Sequence, residues 1–146
     1  RIADGSACSQ GQGLGRLGLA MPVDWWQLAL ADRKPCLARF VDQVFARAHV
    51  LIAPLQVDVL PTVDEVYVGA PSFAPAKLLG LHHYCGWVNY LGLPALSMPV
   101  GVDERGLPVS VQLIGRPFAE AELLTLAQQI QTDIHGEQGI MPVLRL

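Results

Sequence analysis

The chain has 146 residues, enough for one ordinary domain. Apolar residues make up 51% of it and charged residues 16%, and this balance excludes an intrinsically disordered tail, which needs low hydrophobicity and high charge. The 10 Lys and Arg against 13 Asp and Glu give a net charge of −3, which argues against a nucleic-acid binder because neutralising phosphates requires clustered cations.

The cysteines and the start of the chain bear on its cellular setting. Cys8, Cys36 and Cys85 are an odd, widely spaced set, so they predict neither a disulfide framework nor paired zinc ligands, and a cytoplasmic location is expected. No signal-peptide pattern follows Arg1. Because the low surface charge implies apolar faces that need covering, we hypothesise that the chain is part of a larger protein.

Residues 1–23 are rich in glycine and predict a loop, with the domain proper over residues 24–146. Within the loop, Gly13–Gly18 matches the pattern G-x-G-x-x-G of dinucleotide-binding turns. That function requires a strand directly before the motif. The preceding Ser9–Gln12 does not read as a strand, so a flexible loop is favoured.

A helix is predicted from Asp24, which is a suitable N-cap. Pro35 interrupts the pattern and indicates a kink or a fresh helix start. Beyond it, apolar residues recur at spacings of three and four, which predicts one apolar stripe: Leu37, Phe40, Val41, Val44, Phe45 and Ala48. The short apolar run His49–Ala53, ended by Pro54, predicts a strand buried on both faces.

The middle of the chain alternates irregular and weakly helical patterns. Leu55–Pro75 contains three prolines and predicts a long irregular connection, and Ala76–Leu91 is weakly helical. Tyr84–Val102 carries no charge for nineteen residues. A membrane span is nevertheless disfavoured, because its prolines and glycines would break a helix in lipid.

The last part of the chain predicts a hairpin followed by a helix. Strands over Ala95–Val102 and Val109–Ile114 are joined by residues 103–106, which end in glycine. Phe118–Ile134 is the clearest amphipathic helix. Its predicted apolar side consists of Leu123, Leu124, Leu126, Ala127 and Ile130. This order of elements predicts an α/β layered unit with a mixed sheet.

His82, His83 and Cys85 are the closest group of potential metal ligands or nucleophiles. On a helix, His82 and Cys85 would share one face. Zinc requires three or four ligands, and His49 and His135 are isolated in the sequence. A Cys–His nucleophile pair is chemically possible, but a half-buried structural helix is favoured. We therefore predict neither a metal nor a cofactor.

The serines carry no signature of a nucleophile. Ser72, Ser97 and Ser110 lack the G-x-S-x-G turn, and the sequence contains no S-x-x-K motif. On residues alone, no catalytic residue is assigned.

Three consecutive segments carry motifs that together are specific. Asn89–Gly101 contains Asn-x-x-Gly and Pro-Ala-x-Ser-x-Pro, and Gly106–Gly115 contains Gly-Leu-Pro and Gln-Leu-Ile-Gly. Phe118–Leu124 begins with Phe-x-Glu. In this order they resemble the C-terminal end of the amidase signature family. The run His49–Pro54 and the helix carrying Arg33 also fit that family.

The resemblance implies an amide hydrolase with an α/β/α sandwich and a mixed, twisted sheet. Family members use a Ser nucleophile, a bridging Ser in a cis peptide and a Lys base, all in a Gly/Ser-rich segment that this sequence does not contain. Lys34 and Lys77 are not at the position of the family's lysine. The resemblance therefore implies that the catalytic residues lie upstream and that the isolated chain is inactive.

Part of the substrate wall is expected to remain. The family segment before the Asn is similar to Asp-x-x-Thr-x-Pro-x-Asn, and here His82, Cys85 and Trp87 take the Asp, Thr and Pro places. The departures from the family pattern at Cys85 and Trp87 favour a stand-alone amidase over an amidotransferase of the A type. We predict that His82, together with His83, binds a small amide substrate, whereas a structural role for both remains the alternative.

The expected partners follow from the same resemblance. They are the small amide substrate and the N-terminal remainder of the amidase domain, with no nucleic acid and no membrane. Uncovered apolar faces predict self-association of the isolated chain. A non-catalytic interaction module built on the same half-fold is the alternative class of function.

Overall fold

The computed structural model describes residues 20–135. Five helices and three strands follow one another in this part of the chain: α1 (Val23–Val44), β1 (Val50–Pro54), α2 (Val63–Val66), α3 (Pro75–Gly80), α4 (Gly86–Leu91), β2 (Ala95–Val102), β3 (Pro108–Gly115) and α5 (Glu120–His135). The predicted loop over residues 1–23, including Gly13–Gly18, lies almost wholly outside the described residues.

Helix α1 is continuous through Pro35, so the predicted interruption is not a fresh start. The N-cap position is Pro22, and Asp24 lies in the first turn instead of capping the helix. An acidic side chain there still interacts favourably with the positive end of the helix dipole. The helix ends at Val44, and the backbone N–H of Phe45 donates to the carbonyl oxygen of Val41.

The three strands form one antiparallel sheet in the order β1-β3-β2. The predicted hairpin is confirmed as the β2–β3 pair, with residues 103–107 connecting the strands. The prediction of a mixed sheet is wrong for residues 20–135, because β1 joins the free side of β3 in the antiparallel direction. Ala53, Gln112 and Ser97 are direct partners across the three strands, so they share one face of the sheet.

Strand β1 is an edge strand within residues 20–135, and its prediction as a strand buried on both faces is wrong there because Ile52, on one of those faces, is exposed. Its side chains alternate: Leu51 and Ala53 pack against a core cluster, while Ile52 and Pro54 are exposed. A continuous apolar run favours two-sided burial, but apolar composition alone does not show how many neighbours a strand has.

Apolar clusters cover both faces of the sheet. On one face, residues of α4 and the end of α1 surround Ile114: Phe45, Val88, Leu91 and Leu93, with Leu37, Phe40 and Trp87 packed against them. On the other face, α5 covers the hairpin through Leu123 and Ala127, which cluster with Met98 and Leu113. Helices therefore flank the three-stranded sheet on both sides, an α/β-like arrangement.

Helix α5 begins two residues later than predicted, at Glu120. Phe118 precedes it with a φ of 66° and is 94% exposed. Leu124, predicted on the apolar side, is also exposed. Among residues 20–135, no helix combines the length and the apolarity that a membrane crossing requires.

Replacement of Gly92 by alanine is expected to lower the free energy of unfolding by about 1–2 kcal/mol, the usual cost of a left-handed backbone for a residue with a Cβ. Gly92 ends α4 with a φ of 71°, and its N–H donates to the carbonyl oxygens of Val88 and Asn89. A Cβ there would also overlap the guanidinium of Arg33 on α1.

Urea denaturation measures this change, and Gly80→Ala in α3 is the matched control. A Cβ at Gly80 meets nothing within 4 Å, so Gly80→Ala should leave stability unchanged or raise it slightly. Equal midpoints for the two variants would show that the left-handed cap is not a stabilising feature.

Candidate functional site

The side chain of Gln112 connects three segments that are distant in the sequence. It is the buried polar side chain of the core among residues 20–135, with 3% of its surface exposed. Its Nε2 donates to the carbonyl oxygen of Tyr84 (3.1 Å) and lies 3.4 Å from that of Pro54, at the end of β1. Because both partners are acceptors, the amide nitrogen must face them and the orientation of the carboxamide is fixed.

The turn over residues 81–85 carries both predicted substrate-binding residues. It joins α3 to α4 and is closed by its own backbone: His82 N–H donates to Leu79 O, and Cys85 N–H donates to His82 O. His82 and His83 are both exposed. The rings of His83 and Tyr84 meet edge to face, with centroids 4.9 Å apart.

The predicted sharing of a helix face by His82 and Cys85 is wrong, since both residues lie in the turn before α4. Cys85 is a partly buried free thiol. Within residues 20–135, histidines, cysteines and carboxylates do not gather into a group of three that could hold a metal ion.

Two of the serines lie on the strands of the sheet. Ser97 is exposed on β2 directly opposite Gln112, and Ser110 is partly buried on β3. In the part of the chain that the structure describes, no serine hydroxyl is hydrogen-bonded to a histidine or lysine side chain.

A cleft of about 570 Å³ lies between the segment 56–62, helix α3 and the hairpin connection. Its wall is mostly apolar, and the charged residues Glu65, Lys77 and Arg105 also line it. Leu81 lines this cleft, but His82 and His83 do not. The two predicted substrate-binding histidines therefore lie beside Tyr84 and outside the cleft.

Glu65 organises one side of this cleft. Its carboxylate forms an ion pair with Lys77 (2.6 Å) and accepts a hydrogen bond from the backbone N–H of Thr62 (2.9 Å), completing a capping box for α2. The hydrogen bond from Lys77, followed by that from Thr62, lowers the pKa of Glu65 to about 2. Glu65 thus remains ionised throughout the physiological range.

The hairpin connection contacts the segment 56–62 through Arg105. Its Nη1 donates to the carbonyl oxygen of Leu60 (3.1 Å), and its Nε donates to Asp103 (3.0 Å). The Asp103 carboxylate also accepts from the backbone N–H of Arg105 and Leu107. These bonds, led by that from Leu107, hold the pKa of Asp103 below its ordinary value.

Replacement of Lys77 by alanine is expected to raise the pKa of Glu65 from about 2 towards its ordinary value of 4.5. The native carboxyl has the depressed pKa, so its stabilising effect is complete above about 4.5 and is lost as the pH falls towards 2. The Glu65 carboxyl carbon, followed by NMR titration, measures the pKa. Lys34→Ala in α1 is the control and should leave it unchanged.

Sequence reasoning did not find Gln112 or the Glu65–Lys77 pair. Gln112 belongs to the Gln-Leu-Ile-Gly motif, but in the sequence it follows the alternation of an ordinary strand. The contacts of its amide become visible only when the position of the 81–85 turn is known. For Glu65, the pattern Thr-x-x-Glu is a usable signal of a capping box. Lys77 is twelve residues away, so no local spacing rule indicates it.

Comparisons with known proteins identify the family. The amidase family model matches residues 9–124. The chain is 43% identical over 97 residues to the A component of the glutamyl-tRNA(Gln) amidotransferase of Neisseria meningitidis serogroup C, covering 65% of this chain and 19% of the relative. It is 51% identical over 101 residues to a fatty acid amide hydrolase of Medicago truncatula, covering 69% of this chain and 16% of the relative.

A putative amidase of Synechocystis is 40% identical over 78 residues, covering 53% of this chain and 15% of the relative. The chain thus spans less than a fifth of the length of these curated relatives. The family model covers most of the chain, including the hairpin, Gln112 and the first turn of α5. By that match, this chain belongs to the amidase family.

Proposed function

We propose that this chain is the supporting C-terminal part of an amidase that hydrolyses a small C–N amide bond. The family match over residues 9–124 carries the proposal, and relatives named as an amidase and a fatty acid amide hydrolase support the hydrolytic reaction. In the whole protein, the three-stranded sheet belongs to a larger mixed sheet within an α/β/α sandwich. The protein acts in the cytoplasm, and residues 24–146 are its C-terminal portion.

The proposed chemistry is a two-step acyl transfer. A serine hydroxyl attacks the amide carbon, and its proton passes through a bridging serine to a neutral lysine. The C–N bond then breaks, the leaving amine takes the proton, and water hydrolyses the acyl-enzyme to release the acid. Backbone N–H groups stabilise the oxyanion. All three catalytic side chains belong to a segment upstream of this chain, so the chain alone is inactive.

The substrate wall is proposed to include the 81–85 turn. His82 and His83 are exposed there, and His82 takes the place of the family's acidic group, so the wall lacks that fixed negative charge. A neutral or carboxylate-bearing amide suits such a wall better than an ammonium-bearing one. The relative named as part of an amidotransferase favours a second candidate, an amidotransferase of the A type.

The activity test compares the purified 146-residue chain with the polypeptide that carries it in its natural source. We expect the source polypeptide to be much heavier, to react with a fluorophosphonate probe and to release acid from a panel of small amides. The 146-residue chain should do neither. Turnover by the chain alone would overturn the proposal.

The exposed end of α1 is proposed to contact the N-terminal remainder of the amidase domain. Large apolar side chains are exposed along it and just before it: Met21, Val23, Trp25, Trp26, Leu28 and Leu30. So many large exposed apolar side chains within ten residues favour an interaction surface. Without the remainder, a second copy of the chain is expected to cover it.

We therefore expect the isolated chain to self-associate, and the double substitution Trp25→Glu with Trp26→Glu to shift it towards monomer. Light scattering coupled to size-exclusion chromatography measures the mass. Leu124→Glu is the control, since Leu124 is an exposed leucine on α5 outside this surface. A wild-type chain that is monomeric at high concentration would contradict the prediction.

A further inference from the structure

The geometry points to Gln112 as a positioning residue, which fixes the 81–85 turn to the sheet and thereby sets the orientation of His83 on the substrate wall. This inference rests on the proposed function for its consequence in catalysis. Its structural part, the attachment of the turn, stands on the contacts of Gln112 alone.

The attachment runs through one hydrogen bond. Tyr84 is in the middle of the turn, and among residues 20–135 its carbonyl oxygen accepts a hydrogen bond from the Gln112 amide. The backbone bonds that close the turn use the carbonyl oxygens of Leu79, Gly80 and His82 instead. Gln112 is therefore the link from the turn's own backbone to strand β3.

The same amide also reaches β1. Pro54 is the last residue of β1, and its carbonyl oxygen is the second acceptor facing Nε2. Both N–H groups of the carboxamide are thus directed at main-chain oxygens of two separate segments. Main-chain acceptors move less than side chains, so a rigid amide between them fixes the distance from turn to sheet.

The carboxamide oxygen of Gln112, Oε1, does not link the side chain to another segment of residues 20–135 in this manner. Within the described residues, no hydrogen bond to Gln112 Oε1 is formed, although only 3% of the residue's surface is exposed. A purely apolar core would favour Met or Leu at this position, so the presence of an amide is explained by what its nitrogen holds.

From Tyr84 the effect passes to His83. The two rings are in edge-to-face contact, a geometry that is preferred for aromatic pairs. Fixing the Tyr84 backbone restricts the positions open to the ring that His83 contacts. Fewer orientations are then open to the exposed imidazole, which reduces the entropy lost when a substrate binds it.

Hydrogen exchange of the 146-residue chain tests the attachment. Gln112→Met keeps the length of the side chain and removes the donor, and we expect the amides of residues 82–86 to exchange about tenfold faster, the change that follows loss of one hydrogen bond of ordinary strength. Leu113→Met is the matched control: it is the next residue on β3, its side chain packs on the opposite face, and it should leave that exchange unchanged.

Gln112→Glu provides a second variant in case Gln112→Met does not fold. A protonated carboxyl keeps one O–H donor, whereas the carboxylate has none. Protection of residues 82–86, corrected for intrinsic exchange, should therefore be retained at low pH and lost as the carboxyl ionises. Protection that is equal in the wild type and in both variants would overturn the inference.

Kinetics of the intact enzyme test the consequence. Gln112→Met should raise KM about tenfold with a smaller change in kcat, and combining it with His83→Ala should add nothing to the effect of His83→Ala alone. Additive effects would overturn the coupling to His83. If no amide is hydrolysed, the proposed function fails, while the exchange experiment still decides the positioning role.

Discussion

Replacing Phe45 with alanine is expected to lower the free energy of unfolding by about 3–5 kcal/mol, the usual cost of deleting a buried aromatic ring. Phe45 is 1% exposed at the end of α1 and forms the centre of the cluster on one face of the sheet. Its ring meets that of Phe40 edge to face, with centroids 5.7 Å apart. Truncation would leave a cavity between α1, α4 and Ile114.

Phe118→Ala is the matched control for this experiment. It makes the same chemical change at a ring that is 94% exposed, so its effect should be within about 0.5 kcal/mol. Urea denaturation at a protein concentration below that of self-association measures both. Similar midpoints for the two variants would show that Phe45 is not at the centre of a packed cluster.

Replacing Leu123 with alanine is expected to cost about 2–5 kcal/mol. Leu123 is 2% exposed and anchors α5 on the opposite face of the sheet, where it clusters with Met98 and Leu113. A cavity there cannot be filled from the adjacent end of β3, because Gly115 has no side chain and lies against Leu123 and Ala119.

The neighbouring residue supplies the control. Leu124 is 61% exposed, so Leu124→Ala should change stability by about 0.5 kcal/mol or less. Thermal or urea unfolding of the two variants measures the difference. A larger loss at Leu124 than at Leu123 would mean that α5 is rotated relative to the sheet from the orientation described above.

The local elements of this chain can be predicted from its sequence to a large extent. The hairpin is recognisable because two β-branched, apolar runs flank a short polar connection with glycine, and α5 because its apolar spacing is strictly helical. Both signals depend on residues close in sequence, and both elements are present with bounds shifted by one or two residues.

The incorrect predictions concern the surroundings of residues in the folded chain. The sequence predicts β1 as buried on both faces and Leu124 on the apolar side of α5, and it leaves open whether α1 continues through Pro35. Each of these depends on what packs nearby. Pro35 is compatible with a continuous α1, and the exposure of Leu124 depends on which side of α5 the sheet contacts.

For the candidate site, too, some features are visible in the sequence and others only in the folded structure. The motif-bearing segments indicate the amidase family, and the His82–His83 pair is visible in the sequence. The role of Gln112 is not, since it requires that residues 54, 84 and 112 meet at one amide.

The hairpin, helix α5 and the family follow from the amino-acid sequence, because they depend on patterns of neighbouring residues and on motifs in a fixed order. Helix α2 does not, since it lies in a stretch that the sequence predicts as irregular. The folded arrangement was needed to show that β1 lies at the edge of the described sheet, that Lys77 pairs with Glu65 and that Gln112 holds the histidine turn. Hydrogen bonds, ion pairs and burial act over a few ångströms in space, whatever the separation of the residues along the chain.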